Sequence, residues 1–119
     1  MNELVFVYGT LKTGHGNHGV IEGNSKYVGD AHVGNGYSLH DIGHGFPYMV
    51  KGSGSGCFGE LFKVNEKAIE RMDMLEGHPS FYKRTKCEVT DVGGKKLKAW
   101  TYIYQGVIDD DVPAINEWN

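Results

Sequence analysis

Leu4-Val5-Phe6-Val7-Tyr8-Gly9-Thr10-Leu11-Lys12-Thr13-Gly14 is the stretch on which the reading of the chain turns, because an apolar strand runs there into residues that cannot stay extended. Leu4 to Val7 lack polar alternation, the pattern of a short strand covered on both faces. Gly9 lets the backbone turn sharply or approach a ligand closely, so that any Cβ there would occupy the ligand's space or resist the turn; Gly14 closes the loop. If the amides from Tyr8 to Leu11 point into one space, they form a donor concavity suited to a carboxylate or carbonyl oxygen. The alternative is a strand end followed by an ordinary loop, since glycine turns after strands are common.

Two nucleotide motifs nearly fit this region. Gly9 to Gly14 has the outer spacing of a phosphate-cradling loop, but His15 and Gly16 stand where Lys and Ser or Thr are required, leaving no charge partner for phosphate and no hydroxyl for Mg²⁺. Gly14-His15-Gly16-Asn17-His18-Gly19 matches G-x-G-x-x-G, with Asp41 at roughly the distance of a ribose-binding acid. The preceding strand ends well before Gly14, however, and the chain is too short for two mononucleotide-binding halves.

The 119 residues are expected to form one domain, 1–119, around a single core. Eighteen glycines against three prolines predict many tight turns between short strands. A net charge of -3 gives no electrostatic reason to bind nucleic acid or an anionic membrane. No apolar run approaches a membrane span, and the start of the chain does not read as a signal peptide, so a cytoplasmic location is the expectation. Cys57 and Cys87 lie far apart with no C-x-x-C, and read as small core residues rather than a disulfide or zinc site.

Asn17 to Glu22 reads as one short helix. Residues 25–50, broken repeatedly by glycine, read as short bent strands with bulges. His40 and His44 have His-x-x-x-His spacing, but Asp41-Ile42-Gly43 between them opposes the helix that would bring both rings to one metal. Gly56 to Val64 reads as a strand, Asn65 as a helix cap, Glu66 to Glu76 as the main helix, and Gly77 with Pro79 as its stop.

Within that helix Ile69, Met72 and Leu75 mark the core side, and at about 100° per residue Asp73 and Glu76 fall within about 40° of Ile69. Glu76 therefore points coreward at the negative end of a helix, where burial and the helix dipole both oppose its charged form, as would an ionised Asp73. A carboxylate so placed is a candidate for moving protons near neutral pH. The other reading leaves Glu76 leaning into solvent, with Asp73 or Arg71 in a surface pair. Phe81 to Asp91 and Leu97 to Tyr104 form a hairpin through Gly93-Gly94, with Trp100, Tyr102 and Tyr104 on one face as core or pocket wall. The tail is expected to pack only through Val112, Ile115 and Trp118.

Val7-Tyr8-Gly9-Thr10-Leu11-Lys12-x-Gly14, Gly59-Glu60-Leu61-Phe62-x-Val64, Asp73-x-x-Glu76-Gly77 and Phe81-Tyr82-x-Arg84, in this order, resemble the γ-glutamylcyclotransferase-like family, and within it the small γ-glutamylamine cyclotransferase branch most closely. The resemblance runs from residue 4 to about residue 104. It implies an α+β fold, a bent mixed β-sheet or barrel with one main helix packed across it. It also implies that Tyr8, Gly9, Thr10 and Leu11 hold the glutamyl moiety through their backbone, that Glu76 is the catalytic acid and base, and that Tyr82 is an aromatic beside the pocket. Residues 25–57 match no pattern of the family closely.

The implied chemistry is conversion of a γ-glutamyl amide to 5-oxoproline and free amine by attack of the substrate's own α-amine, with no metal and no cofactor. The expected partner is a small-molecule γ-glutamyl substrate, without nucleic acid or membrane, and the expected state is a monomer. Two alternatives remain: a non-catalytic module that binds a γ-glutamyl-like molecule, and an enzyme that removes a γ-glutamyl protecting group during biosynthesis.

Overall fold

Alternation along the first strand divides the interior in two. In the computed structural model, which describes residues 2–119, β1 (Glu3–Val7) contributes Phe6, and Tyr8 just beyond it, to one buried cluster, and Val5 and Val7 to another. The run without polar alternation is thus buried on both faces. The remaining elements are β2 (Ser25–Val33), β3 (Tyr37–His40), β4 (Tyr48–Lys51), β5 (Cys57–Val64), α1 (Glu66–Glu76), β6 (Tyr82–Asp91) and β7 (Lys96–Tyr104).

Five strands close into a barrel in the order β1-β5-β2-β6-β7. The neighbours pair antiparallel except at the closure, where β7 lies parallel to β1 with Val5 opposite Trp100. Closure leaves no free sheet edge among these strands. Phe6, Val33, Leu61, Val89 and Ala99, one from each strand, meet in the first cluster, which fills the barrel and is capped by Leu39 and Met49 of the separate β3–β4 ribbon. The second cluster lies beneath α1, where Ala68 and Met72 pack with Val5, Val7, Phe62 and Tyr102. This is the bent mixed barrel crossed by one helix that the family resemblance implies.

The helix has the expected limits for the expected reasons. The Asn65 side chain accepts from the Ala68 amide at 2.9 Å, and Gly77 takes the left-handed conformation, φ 66°, ψ 36°. Its buried ridge differs from expectation, however. Ala68 and Met72 are its buried residues, four apart on a row that continues to the half-buried Glu76, and Leu75 is left 42% exposed.

Three other expectations are corrected. The helix at 17–22 is only a 3-10 turn, His18–Val20, because Gly16, Gly19 and Gly23 flank and interrupt it and Gly23 holds φ 82°. β2 is longer than expected at nine residues, whereas its register shift between Tyr27 and Gly29 and the four-residue β3 and β4 are the bulge and the short strands expected. The tail docks through its backbone as well as its side chains: Ile115 N donates to Leu39 O at 2.8 Å, and Phe58 N donates to Asn116 O at 2.7 Å. Ile108, rather than Val112, packs against the cluster beneath the helix.

Gly59 shows how closely the strands approach beside the first loop. A Cβ there would overlap the Val7 carbonyl oxygen and lie 2.7 Å from the Phe6 ring, whereas one at Gly16 would meet nothing within 4 Å. Gly59→Ala is expected to destabilise the fold by about 1–3 kcal/mol, and Gly16→Ala to stay within about 0.5 kcal/mol. Urea denaturation with an unchanged m value measures both.

Candidate active site

Past Val7 the chain leaves the barrel and turns over its rim. Lys12 N donates to Gly9 O at 3.0 Å and Asn17 N to Thr10 O at 2.9 Å, while Thr13 N is held by the Glu60 carboxylate of β5 at 2.8 Å. Asn17 Nδ2 also donates to Thr10 Oγ1 at 3.0 Å, so one side chain ties the loop to the 3-10 turn behind it. The amides of Gly9, Thr10 and Leu11 take no part in these hydrogen bonds. Tyr8 to Leu11 form one wall of a pocket of about 190 Å³, a volume suited to a group the size of one amino acid.

Gly9 is required here for a reason other than the one expected. Its φ is not positive, and a Cβ would meet Pro47, whose Cγ and Cδ would both lie 2.9 Å away. Pro47 and its neighbour Phe46 line the same pocket, so the close approach of Gly9 to Pro47 sets the distance between the loop and the segment leading into β4.

The opposite wall is the end of α1 and the start of β6, with Leu75, Glu76, Phe81 and Tyr82 facing the loop. Burial raises the Glu76 carboxyl from 4.5 to about 7, and no hydrogen bond from a described residue offsets that effect. Glu76 is half-buried and lines the pocket. The left-handed Gly77 accepts from Phe81 N at 2.9 Å, so the turn that ends the helix at Glu76 also places Phe81 at the pocket mouth, 44% exposed.

Asp73, one turn before Glu76, does not act on it as expected. Burial by itself would raise the Asp73 pKa, but hydrogen bonds from Arg84 and Tyr102 outweigh it and hold the carboxyl below its ordinary range. Arg84 Nε donates to Oδ1 at 2.9 Å and Nη2 to Oδ2 at 3.2 Å, and Tyr102 OH donates to Oδ1 at 2.7 Å. Asp73 is therefore neutralised within a buttress linking α1, β6 and β7, and its partner is Arg84 rather than Arg71. Burial is what shifts Glu76.

The phenols around Glu76 are committed elsewhere. Tyr8 OH donates to Tyr102 O at 2.6 Å, and Tyr82 OH donates to Pro47 O at 2.9 Å. Burial raises both above the usual phenol value, with Glu76 adding to the effect, so both remain protonated. Tyr82 stands beside the pocket with its ring in contact with Tyr48, Phe81 and Tyr104.

All six candidates, Tyr8, Gly9, Thr10, Leu11, Glu76 and Tyr82, line one pocket. Sequence reasoning missed Asn17, Phe46, Pro47 and Phe81, and for Tyr102 left core and pocket wall open. Phe81 and Tyr102 had signals, in the Phe81-Tyr82-x-Arg84 motif and in the Trp100-Tyr102-Tyr104 alternation. Phe46 and Pro47 lie in the glycine- and histidine-rich region that follows no recognisable pattern. His40 and His44 turn to separate partners, Ser38 and Tyr48, and among the described residues no group of three or more His, Cys, Asp or Glu is placed to hold a metal ion.

Comparison with known proteins gives a consistent match. The sequence profile described as "Gamma-glutamyl cyclotransferase, AIG2-like" matches residues 5–119. A Methanocaldococcus jannaschii protein, named provisionally as a gamma-glutamylcyclotransferase, is 39% identical over 104 residues, covering 86% of this chain and 84% of its own. The gamma-glutamylaminecyclotransferase of Bos taurus is 39% identical over 92 residues, covering 71% of this chain and 55% of the bovine one. The crystal structure of an AIG2-like protein of Mus musculus superposes with a TM-score of 0.88 at 25% identity, covering 98% of this chain and 88% of that one.

The burial of Glu76 has a consequence for stability. Its folded pKa of about 7 lies above the unfolded value, so the stability it contributes is complete below about 4.5 and is lost as pH rises through about 7. Glu76→Gln, which carries no charge to bury, is expected to match the parent protein at pH 4.5 and to exceed it at pH 8 by about 2 kcal/mol, allowing for partial solvent contact. Denaturation midpoints across that range measure the difference.

Proposed function

We propose that this chain, which belongs to the gamma-glutamyl cyclotransferase, AIG2-like family, is a γ-glutamylamine cyclotransferase that converts a γ-glutamyl amide to 5-oxoproline and a free amine. The observation that carries the reading is a carboxyl, raised by burial to about 7, in one pocket with a loop whose Gly9, Thr10 and Leu11 amides make no main-chain hydrogen bond among the described residues.

In this reading the loop amides of Gly9, Thr10 and Leu11 hold the glutamyl end and stabilise negative charge as it develops on the γ-carbonyl oxygen. The bound substrate is curled so that its α-amine reaches the γ-carbon, which replaces an intermolecular encounter by a ring closure. Glu76 takes a proton from the α-ammonium. The freed nitrogen pair forms the new C–N bond, the amide C–N bond breaks, and Glu76 returns the proton to the departing nitrogen. Raising its pKa from 4.5 to about 7 lowers the cost of the first transfer by about 3 kcal/mol, at about 1.4 kcal/mol per unit.

The pocket mouth supports an amine as leaving group. Leu75 and Phe81 are the exposed residues there, and among the described residues no Lys, Arg or His lines the pocket. A carboxylate next to the leaving nitrogen would have no cation to pair with and would lie near Glu76. The chemistry proposed is metal-independent, since the substrate brings its own nucleophile. We place the protein in the cytoplasm as a single-domain monomer.

Release of 5-oxoproline from a γ-glutamyl alkylamine, followed by mass spectrometry, tests the proposal. kcat/KM is expected to rise with pH through about 7 and to be unchanged by chelator. Glu76→Gln is expected to lose about 10²–10⁴-fold in rate with unaltered circular dichroism. A Glu76→Gln enzyme of near-parental rate, or activity lost to chelator and restored by one metal, contradicts it.

A further inference from the structure

Lys12 belongs to the first loop, yet its side chain takes no part in the pocket. It is 6% exposed, pairs with no carboxylate among the described residues, and donates its Nζ to the main-chain carbonyl of Trp118. An ammonium withdrawn from water without a counter-ion is an expensive arrangement, tolerated when the hydrogen bond fixes something else.

What it joins is the tail. Running back from Trp118, the tail crosses β5 through Asn116 and ends on the ribbon, where Ile115 pairs with Leu39 of β3. The Trp118 ring lies 5.2 Å from His15 in the loop, and its Nε1 donates to Asp41 beyond β3 at 3.1 Å. The two ends of this contact belong to adjoining walls of the pocket, which meet where Gly9 approaches Pro47. The loop carries Tyr8 to Leu11, and the β3–β4 ribbon is preceded at β4 by Phe46 and Pro47. The ribbon forms a sheet separate from the barrel, and it is held by side-chain packing, by the hydrogen bonds from Tyr82 OH to Pro47 O and from Gly56 N to Tyr37 O at 2.9 Å each, and on the side of the loop by the approach of Gly9 to Pro47 and by the tail.

We propose that residues 115–118 act as a strap that holds the first loop against the ribbon side of the pocket, and that Lys12 is the positioning residue through which the strap holds the substrate loop closed. The inference rests on the pocket being the γ-glutamyl site, but its direct consequence, a loop that loosens when the strap is cut, does not require turnover. Cutting one charge-assisted hydrogen bond shifts a local closed-to-open equilibrium by about ten- to a hundredfold. A substrate that must wait for the closed form then binds in proportion to the closed fraction, raising KM while leaving kcat, which reports the already closed complex, nearly unchanged.

Lys12→Met keeps the buried stem and removes the ammonium; Trp118→Ala removes the ring from His15 and Asp41. The experiment measures amide hydrogen exchange by NMR in the parent and both variants, together with urea midpoints and with kcat and KM for a γ-glutamyl alkylamine. The expected result is at least tenfold faster exchange at Lys12 and Thr13, unchanged protection in the barrel strands, and a KM raised at least threefold at parental kcat. Parental protection in the loop overturns the proposal. So does a loss of protection shared equally by loop and barrel, which makes the contact a general stabilising one. Faster loop exchange in the variants, combined with a parent protein that releases no 5-oxoproline, upholds the strap and overturns the cyclotransferase reading instead.

Discussion

A glutamate held in an apolar wall at the negative end of a helix is the constraint around which this structure is arranged. Ala68, Met72 and Glu76 occupy one row of α1, so the contacts that dock the helix on the barrel also draw the carboxyl out of water. The helix cannot turn Glu76 outward without lifting Met72 from the core. Gly77 ends the helix immediately afterwards, so the carboxyl stays at the rim of the barrel beside the loop that leaves β1. Burial and reactivity thus have a single origin.

The surroundings are organised so that this burial is not relieved. A free Asp73 one turn away would add repulsion, and a free Arg84 would pull the Glu76 pKa back down. Paired with each other and with Tyr102, they satisfy one another and leave the pocket lined by one ionisable carboxyl among aromatic and aliphatic groups. Tyr8 and Tyr82, whose hydroxyls lie within the electrostatic reach of Glu76, donate to main-chain carbonyls instead. The pocket is therefore apolar around Glu76 and bordered on the other side by the main chain of the loop.

Much of this was legible in the sequence because it rests on local chemistry. A strand without polar alternation that reaches Tyr8-Gly9, a helix bounded by Asn65 and Gly77, and a carboxylate on its coreward face are each determined within a few residues. What the sequence did not disclose depends on pairs distant along the chain. Gly9 is a glycine because of Pro47, Asp73 is occupied because of Arg84, and Lys12 is buried because of Trp118. Helical spacing placed Leu75 in the core with Ile69 and Met72, but helix crossing over the barrel selects the i, i+4 row and leaves Leu75 at the pocket mouth. The glycine-rich segment 25–57 carried almost no periodic signal, although it supplies Phe46 and Pro47 to the pocket.

The central claim is that burial alone retunes Glu76 for proton transfer near neutral pH. Titration of its side-chain carboxyl carbon by NMR, in the ligand-free protein with Glu76 assigned through the Glu76→Gln spectrum, tests this most directly. The account predicts a midpoint of about 7. A midpoint near 4.5, the ordinary value for a glutamate in water, would contradict it.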